Sequence, residues 1–143
     1  MNENNIRFEF CNKINETIKE IREIVFIKEQ CYIIDIDELD DSCTHILMFL
    51  NEVPVGTLRL TKKDEHSLKL GRFAILKEYR GKHLGTILLK EAEKYAKNNG
   101  YITIYLDAQF DKRGFYFKNG YMSLNQPLFL DENYPHIHLK KVL

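Results

Sequence analysis

An excess of charge of either sign is missing from this chain. Its 143 residues include 21 lysines and arginines and 21 aspartates and glutamates, so the formal net charge is zero. Proteins that coat nucleic acid or anionic membranes are usually strongly basic. Lys90, Lys94 and Lys97 fall on one predicted helix, but no aromatic–basic interleaving accompanies them. We therefore expect neither a nucleic-acid partner nor a membrane partner.

Long apolar segments are also missing. The longest plain apolar run, Ile46 to Leu50, is far shorter than the roughly 20 residues that span a bilayer. The first five residues, Met1 to Asn5, are polar and contain no apolar signal core. These absences predict a cytoplasmic protein. The length predicts one domain, residues 1–143.

Cysteine is scarce. Cys11, Cys31 and Cys43 are odd in number and form no Cys-x-x-Cys pair. We expect three reduced thiols that pack as small apolar side chains. A nucleophilic thiolate at Cys31 or Cys43 is not favoured, because no neighbouring motif stabilises a thiolate and nearby carboxylates oppose one.

The apolar pattern predicts an α/β domain. Strand-like alternation and helical spacing of apolar residues follow one another along the chain. In order, the pattern predicts strand 6–10, helix 12–28, an exposed acidic loop at 31–42, strands at 45–50, 53–61 and from about 68, helix 86–98, strand 102–106, helix 110–118, and strands near 121–124 and 137–142. The strand–helix–strand unit at 68–107 requires parallel neighbours, whereas the preceding hairpins are antiparallel. The predicted fold is a mixed, twisted sheet with helices on both faces.

A basic, glycine-containing turn lies between the strand that ends near Ile75 and the helix that follows. Gly81 and Gly85 would let a phosphate approach the main chain, at the positive end of a helix dipole. The spacing excludes a Walker loop, which needs four residues between its glycines and then Lys-Ser/Thr. It also excludes the Gly-x-Gly-x-x-Gly dinucleotide fingerprint. An ordinary strand-to-helix loop remains the plain alternative.

The turn Arg80-Gly81-Lys82-His83-Leu84-Gly85 resembles the acyl-CoA loop of the GNAT N-acetyltransferase superfamily, Arg/Gln-x-x-Gly-x-Gly/Ala. His83 stands where the family usually has its middle glycine, and we expect it to fit there if its backbone angles are helical. Segments 25–30, 54–60, 115–121 and 134–136 resemble, in the same order, segments of a branch of small, poorly characterised bacterial members. The resemblance covers nearly the whole chain and implies a GNAT fold with splayed central parallel strands.

GNAT enzymes move an acetyl group from acetyl-CoA, their cosubstrate, to an amine, usually directly. The resemblance therefore implies an N-acetyltransferase that acts on a primary amine of a small molecule. A non-catalytic acyl-CoA-binding regulatory module is the alternative. The acidic loop would suit a cationic acceptor such as a polyamine or aminoglycoside. The sequence identifies neither the acceptor nor the oligomeric state, and a homodimer is compatible with it.

The resemblance also implies which residues bind CoA. The phosphates are expected to bind the turn and the helix start, at Arg80, Gly81, Lys82, His83, Leu84, Gly85 and Thr86. The main chain of the splayed strand is expected to contact the cofactor at Phe73, Ala74 and Ile75. Gln109, after the next strand, is expected to bond the pantetheine arm.

Three residues are candidates for the chemistry. Tyr116 lies in Phe115-Tyr116-Phe117-Lys118-Asn119-Gly120-Tyr121, where the family's tyrosine points at the sulfur, so we expect it to protonate the leaving thiolate; an aromatic core position is the other interpretation. Glu29, at the end of the first helix, is a candidate base or acceptor ligand, or simply an exposed glutamate.

His136 is the other candidate base, because a neutral imidazole accepts a proton near pH 7. His138 lies two residues on and would share its strand face. Two histidines without a third ligand are weak evidence for a metal, and a solvent-facing strand is the simpler interpretation of the pair. We therefore expect no metal site.

Overall fold

One open sheet of eight strands forms the centre of the molecule. The computed structural model describes residues 5–143. The strands are β1 (Ile6–Cys11), β2 (Thr44–Leu50), β3 (Val53–Asp64), β4 (Ser67–Ile75), β5 (Thr103–Gln109), β6 (Met122–Ser123), β7 (Phe129–Asp131) and β8 (Tyr134–Val142). Their order in the sheet is β1-β2-β3-β4-β5-β8-β6, and β7 pairs with β8.

Helices cover both faces of this sheet. They are α1 (Glu16–Arg22), which continues as a π-helix (Glu23–Glu29), α2 (Leu84–Asn98) and α3 (Arg113–Lys118). None of the helices within residues 5–143 has the length and apolarity to cross a bilayer.

Successive side chains of β2 point to opposite faces of the sheet and show which helix packs on each face. Leu47 and Phe49 join the apolar side of α1 and the π-helix, whereas Ile46 and Met48 pack with α2 on the other face. The buried residues of α2 recur at helical spacing and are Leu84, Leu88, Leu89, Ala92 and Ala96. Each buried leucine contributes about 2 kcal/mol of hydrophobic free energy. The predicted α/β fold with a mixed sheet and helices on both faces is confirmed.

The central pair β4 and β5 is parallel, and it separates part-way along. Pairing runs from Ser67 opposite Thr103 to Leu70 opposite Leu106. Beyond that point β4 continues to Ile75 along β3, while β5 continues to Gln109 along β8. The splayed central strands are therefore present, and they open a gap in the middle of the sheet.

Three features of the structure differ from what the sequence predicts. The first helix begins at Glu16, with the Asn15 side chain accepting the Ile18 N–H at 2.8 Å, and its second half is a π-helix. β7 was not predicted, because three residues are too few to show the alternation of apolar and polar side chains that is typical of a strand. Cys31 is exposed and Cys43 buried, so the expectation of packed thiols is wrong for Cys31.

Most of the acidic segment 31–42 is exposed, as its composition predicted, but two of its aspartates are not. Asp35 and Asp40 are buried, and a 3₁₀ turn (Glu38–Asp41) begins with the Asp37 side chain as its cap. Composition alone could not show this, because the neutralising partners come from distant parts of the chain. They are Arg22 on α1, Arg59 on β3 and Arg72 on β4.

These three arginines and three aspartates form what we call the arginine–aspartate network. Arg22, fully buried, donates from Nε to Asp35 at 3.0 Å and from Nη1 to Asp40 at 2.7 Å. Arg59 donates from Nη1 to Asp37 at 2.7 Å and to Asp40 at 2.9 Å. The network ties the segment 31–42 to α1 and to the sheet.

Asp40 is the most deeply buried carboxylate of the network. Burial opposes its ionisation, but hydrogen bonds from Arg22, the Asp37 N–H and Arg59 outweigh burial and hold the pKa of Asp40 well below its usual range. A depressed folded-state pKa stabilises the fold above the ordinary carboxyl pKa of 3.8, and this contribution is lost as the pH falls below it.

Asp40→Asn should lower the free energy of unfolding at pH 7 by about 3–5 kcal/mol, because it leaves two buried guanidinium groups without a full counter-charge. Urea unfolding followed by circular dichroism measures the difference. The difference in the free energy of unfolding between the wild type and the variant should narrow as the pH drops below 3.8, because the unfolded wild-type chain then binds a proton at Asp40 that folding must remove.

Asp41→Asn is the matched control. Asp41 is the next residue, is exposed, and forms no ion pair within residues 5–143. Its substitution should change stability by no more than about 0.5 kcal/mol. Equal losses for the two variants would show that the network does not support the fold.

Candidate active site

The gap between β4 and β5 opens into the main cleft of the molecule. The cleft has a volume of about 1010 Å³ and is lined by residues from both faces of the sheet. On one face its lining includes the end of the π-helix and the segment after Cys31. Its wall on the other face includes the glycine turn, the start of α2 and α3. A ligand in this cleft can therefore meet groups from both faces of the sheet.

The start of α2 is built to bind an anion. The main-chain N–H groups of residues 81–86 donate to no acceptor among residues 5–143, and Ile87 is the first to bond back, to His83 at 3.2 Å. These free donors lie at the positive end of a 15-residue helix. Gly81 and Gly85 both line the cleft beside them. The arrangement fits a phosphate or diphosphate group.

Two residues of this turn have left-handed backbone angles. Gly81 has a φ of +79°, which explains the glycine there. His83 has a φ of 64° and a ψ of 13°, so it is left-handed as well. The condition of helical angles under which a non-glycine residue would fit at position 83 is therefore not met, and a side chain there costs about 1 kcal/mol relative to glycine. This strain accounts for the glycine that the family usually places at this position.

Arg80 and Glu29 are bonded to each other across the mouth of the cleft. Arg80 donates from its two terminal nitrogens to Glu29 at 2.6 and 2.7 Å, and from Nε to the Ile75 carbonyl at 2.8 Å. The hydrogen bond from Arg80 lowers the pKa of Glu29. A carboxylate with a lowered pKa is a weaker proton acceptor, which disfavours Glu29 as the base. Arg80 instead joins the π-helix to the end of β4.

Most of the predicted CoA residues line this one cleft. The lining residues are Phe73, Ala74, Ile75, Arg80, Gly81, His83, Leu84, Gly85, Thr86 and Gln109. Lys82 does not line it, and its ammonium lies 5.6 Å above the Tyr79 ring. Among the candidates for chemistry, Tyr116 and His136 line the cleft and Glu29 does not.

Tyr116 lies on α3 within a cluster of aromatic rings. Its ring centroid is 5.1 Å from that of Phe115, 6.4 Å from Phe73 and 5.9 Å from Tyr121. Its hydroxyl forms no hydrogen bond with any other of residues 5–143, whereas the Tyr121 hydroxyl donates to Glu93 at 2.9 Å. Burial raises the pKa of Tyr116 well above its usual value. The phenol therefore stays protonated at neutral pH and is available as a donor.

His136 is held in one tautomer. Its Nδ1 lies 2.8 Å from the Tyr134 carbonyl, which can only accept, so Nδ1 carries the proton in the neutral ring. The lone pair is then on Nε2, 3.5 Å from the Tyr32 hydroxyl. His136 is buried, so the expectation of a solvent-facing strand is wrong for it. It shares its face with His138, as expected, because Phe129 packs against both rings.

Gln109 is hydrogen-bonded to two residues at the end of the π-helix and just after it. Its amide nitrogen donates to Gln30 at 2.9 Å and to the Tyr32 hydroxyl at 3.2 Å. These bonds connect Gln109 to the residues around His136, and a contact with the pantetheine arm stays a prediction.

Tyr32 is a residue that the sequence did not single out. It follows Cys31, whose φ of 64° turns the chain out of the π-helix, and it stacks on Tyr134 at 5.0 Å. Burial raises the pKa of Tyr32, so its hydroxyl keeps its proton and can donate to His136. A tyrosine in an acidic loop carries no motif, and only the fold shows its position.

Asp40, Cys43 and His45 place one potential metal-binding atom each within 4.8 Å of one another. However, Asp40 accepts from the guanidinium groups of Arg22 and Arg59. Burial raises the pKa of the Cys43 thiol to about 11, so it remains protonated. The cluster is therefore part of the core, and two guanidinium groups neutralise its one carboxylate.

Comparison with known proteins agrees with this architecture. The family model described as the acetyltransferase (GNAT) family matches residues 10–121. An uncharacterised N-acetyltransferase of Bacillus subtilis, YjcF, is 39% identical over 123 residues, which cover 85% of this chain and 87% of that protein.

Solved structures share the fold. A crystal structure from Lactobacillus plantarum, provisionally named an N-acetyltransferase, has a TM-score of 0.88 and 26% identity, and covers 96% of this chain and 98% of its own. A GNAT family acetyltransferase from Elizabethkingia anophelis, solved with acetyl-CoA bound, has a TM-score of 0.73 and 16% identity, with both chains fully covered. Because the family model matches well over half of its length, the chain belongs to the GNAT acetyltransferase family.

Proposed function

We propose that this protein transfers an acetyl group from acetyl-CoA directly to a primary amine of a small molecule. The observation that carries the proposal is the single cleft that contains the free N–H groups at the start of α2, Tyr116 and His136. The acetyl-CoA found in the Elizabethkingia anophelis structure supports the choice of cosubstrate.

The start of α2 would hold the diphosphate of CoA. The edge of β4 that faces β5 has no strand partner beyond Leu70, so its main chain is open to the pantetheine arm near Phe73 to Ile75. This placement directs the thioester toward the point where the two strands separate. Tyr116 borders the cleft on the α3 side and His136 borders it on β8.

The reaction requires the amine nitrogen to lose two protons and the sulfur to gain one. An alkyl amine has a pKa near 10.4, so freeing its lone pair at pH 7 costs roughly 4–5 kcal/mol. The neutral Nε2 of His136 would accept that first proton, directly or through Tyr32, and later release it to solvent. The amine nitrogen then attacks the thioester carbonyl carbon, and the carbon–sulfur bond breaks as Tyr116 protonates the departing thiolate. The second proton leaves the nitrogen as the amide forms and restores the Tyr116 phenol.

A screen of amines with acetyl-CoA, monitored by release of free thiol, tests the proposal. Turnover with at least one primary amine supports it. Tight CoA binding without thiol release across the panel would instead favour a non-catalytic acyl-CoA-binding module. The unbonded hydroxyl of Tyr116 favours the enzyme, because a binding module has no need of a free donor beside the acyl group.

Gly85→Glu should weaken CoA binding by roughly tenfold or more, which is about 1.4 kcal/mol. A carboxylate in the first turn of α2 is compatible with the helix dipole, so the variant should fold, but it would repel the diphosphate. Isothermal titration calorimetry with CoA measures the change.

Two variants of the same turn serve as controls. A Cβ at Gly85 would meet the Phe115 ring at 3.5 Å, an ordinary contact, so Gly85→Ala should keep most of the affinity. His83→Gly should keep or improve it, because it removes left-handed strain. Unchanged binding in Gly85→Glu would place the diphosphate elsewhere.

Tyr116→Phe should fold normally and keep its CoA affinity but lose roughly 10²–10⁴ in turnover, because only the donor hydroxyl is removed. Steady-state kinetics at saturating substrates measures the loss. Tyr121→Phe is the matched control, since that hydroxyl belongs to the same cluster but is bonded to Glu93. Equal turnover in the wild type and Tyr116→Phe would make Tyr116 a core residue only.

His136→Gln should lower turnover and remove the loss of activity at low pH, because a protonated imidazole cannot accept the proton of the amine. The pH dependence of turnover, with CoA affinity measured separately, gives the result. His138→Gln is the control, since His138 is bonded to Asp107 and does not line the cleft. An acid limb that persists in His136→Gln would assign the base to another group.

A further inference from the structure

A β-bulge places Arg72 in the half of the cleft beside the segment 31–42, which we call the acceptor half. Thr57 lies opposite Ala74 and Arg59 lies opposite Gly71, so one residue of β3 faces Arg72 and Phe73 together. Arg72 has a φ of 50°, in the left-handed region. Bulges of this kind redirect a side chain. Arg72 lines the cleft and keeps 29% of its side-chain surface exposed.

The guanidinium of Arg72 is only partly used by the protein. Nε donates to the Asp35 carbonyl at 2.9 Å, and Nη2 donates to Asp37 at 3.2 Å. An arginine has five N–H donors. The three others have no hydrogen-bond partner within the part of the chain that the structure describes, and Nη1 carries two of them.

The aspartates beside Arg72 have other partners. Asp35 accepts from Nε of Arg22 at 3.0 Å, and Asp37 accepts two bonds from Arg59, at 2.7 and 3.0 Å. Each of these carboxylates therefore keeps a guanidinium partner other than Arg72, although Nε of Arg72 also lies 3.2 Å from the Asp35 carboxylate. Beside the acidic segment that the sequence predicted to suit a cationic acceptor, β4 thus presents a guanidinium to the cleft.

The wall of the cleft near Arg72 carries both apolar and charged groups. Phe26, Ile34 and Leu39 line the cleft together with Arg72, and Ile34 and Leu39 are exposed. Asp131 and Glu132 supply negative charge near Tyr32, where the amine would lose its proton. Glu132 is already bonded to the N–H groups of Ile33 and Ile34. The acceptor half thus offers a guanidinium for an anionic group and carboxylates near the amine.

We infer that the acceptor is an amine that also carries a carboxylate, and that Arg72 binds this carboxylate through its unused N–H donors. Charge-assisted bonds to a guanidinium are strong and directional, so they would orient the amine toward His136. This inference rests on the proposed function, since it names the substrate class for the same site. It replaces the polyamine or aminoglycoside expectation.

The test compares linear amino acids with their matched alkylamines. The series runs from glycine to 6-aminohexanoate, each paired with the alkylamine that lacks the carboxylate, so that the chain length reports the span from the amine to Arg72. Calorimetry measures binding to the CoA-saturated protein, and thiol release from acetyl-CoA measures turnover. At least one amino acid should bind roughly 10- to 100-fold more tightly than its alkylamine.

Arg72→Gln should abolish this preference and leave alkylamine binding unchanged. Asp35 and Asp37 keep Arg22 and Arg59 in this variant, so the network should survive, and thermal unfolding checks that it does. Lys69→Gln is the matched control. Lys69 is another cation that lines the cleft, and it is paired with Asp107 at 2.8 Å, so its loss should not change the preference.

The two proposals fail in different ways. Preferential binding of the amino acids without thiol release would leave the carboxylate site standing and overturn the transferase activity. Equal binding of both series, or binding of neither, would overturn the inference whether or not an amine is acetylated. If Arg72→Gln weakened the binding of amino acids and of alkylamines equally, the inferred carboxylate site would be overturned as well.

Discussion

The separation of β4 and β5 beyond Leu70 and Leu106 is the constraint on which the rest of the structure depends. In a continuous sheet, the edges of these strands would satisfy one another, and no ligand could reach the middle of the domain. Once they part, β4 follows β3 and β5 follows β8. The main chain of β4 becomes available on one edge. The glycine turn, Tyr116 and His136, from three different parts of the chain, border one cleft.

The arginine–aspartate network performs a second organising role. Its members come from α1, the segment 31–42, β3 and β4, so it connects this segment of the cleft wall to both the helix and the sheet. Burying four of its six charged groups is costly unless each is paired. The pairing uses four of the five N–H donors of Arg22 but only two of those of Arg72, which lies at the cleft. The cluster that stabilises the fold thus also lines the cleft.

Patterns that are local in the sequence were informative. The spacing of apolar residues predicted the mixed sheet and the positions of α1 and α2, and the turn at Arg80 to Gly85 predicted an anion site at the start of a helix. Both follow from neighbours along the chain. The left-handed angles of His83 were not predicted, because a side chain gives no local signal for a conformation that costs it about 1 kcal/mol.

The sequence by itself determined the family, the α/β fold and the place where a diphosphate could bind, because each depends on periodicity or on a contiguous motif. Only the tertiary structure decided that Asp35 and Asp40 are buried and neutralised, that Glu29 is bonded to Arg80, and that Tyr32 lies beside His136. These contacts join residues that are 13 to 104 positions apart. Charge pairing over such separations is set by how the helices and strands pack, and composition cannot report it.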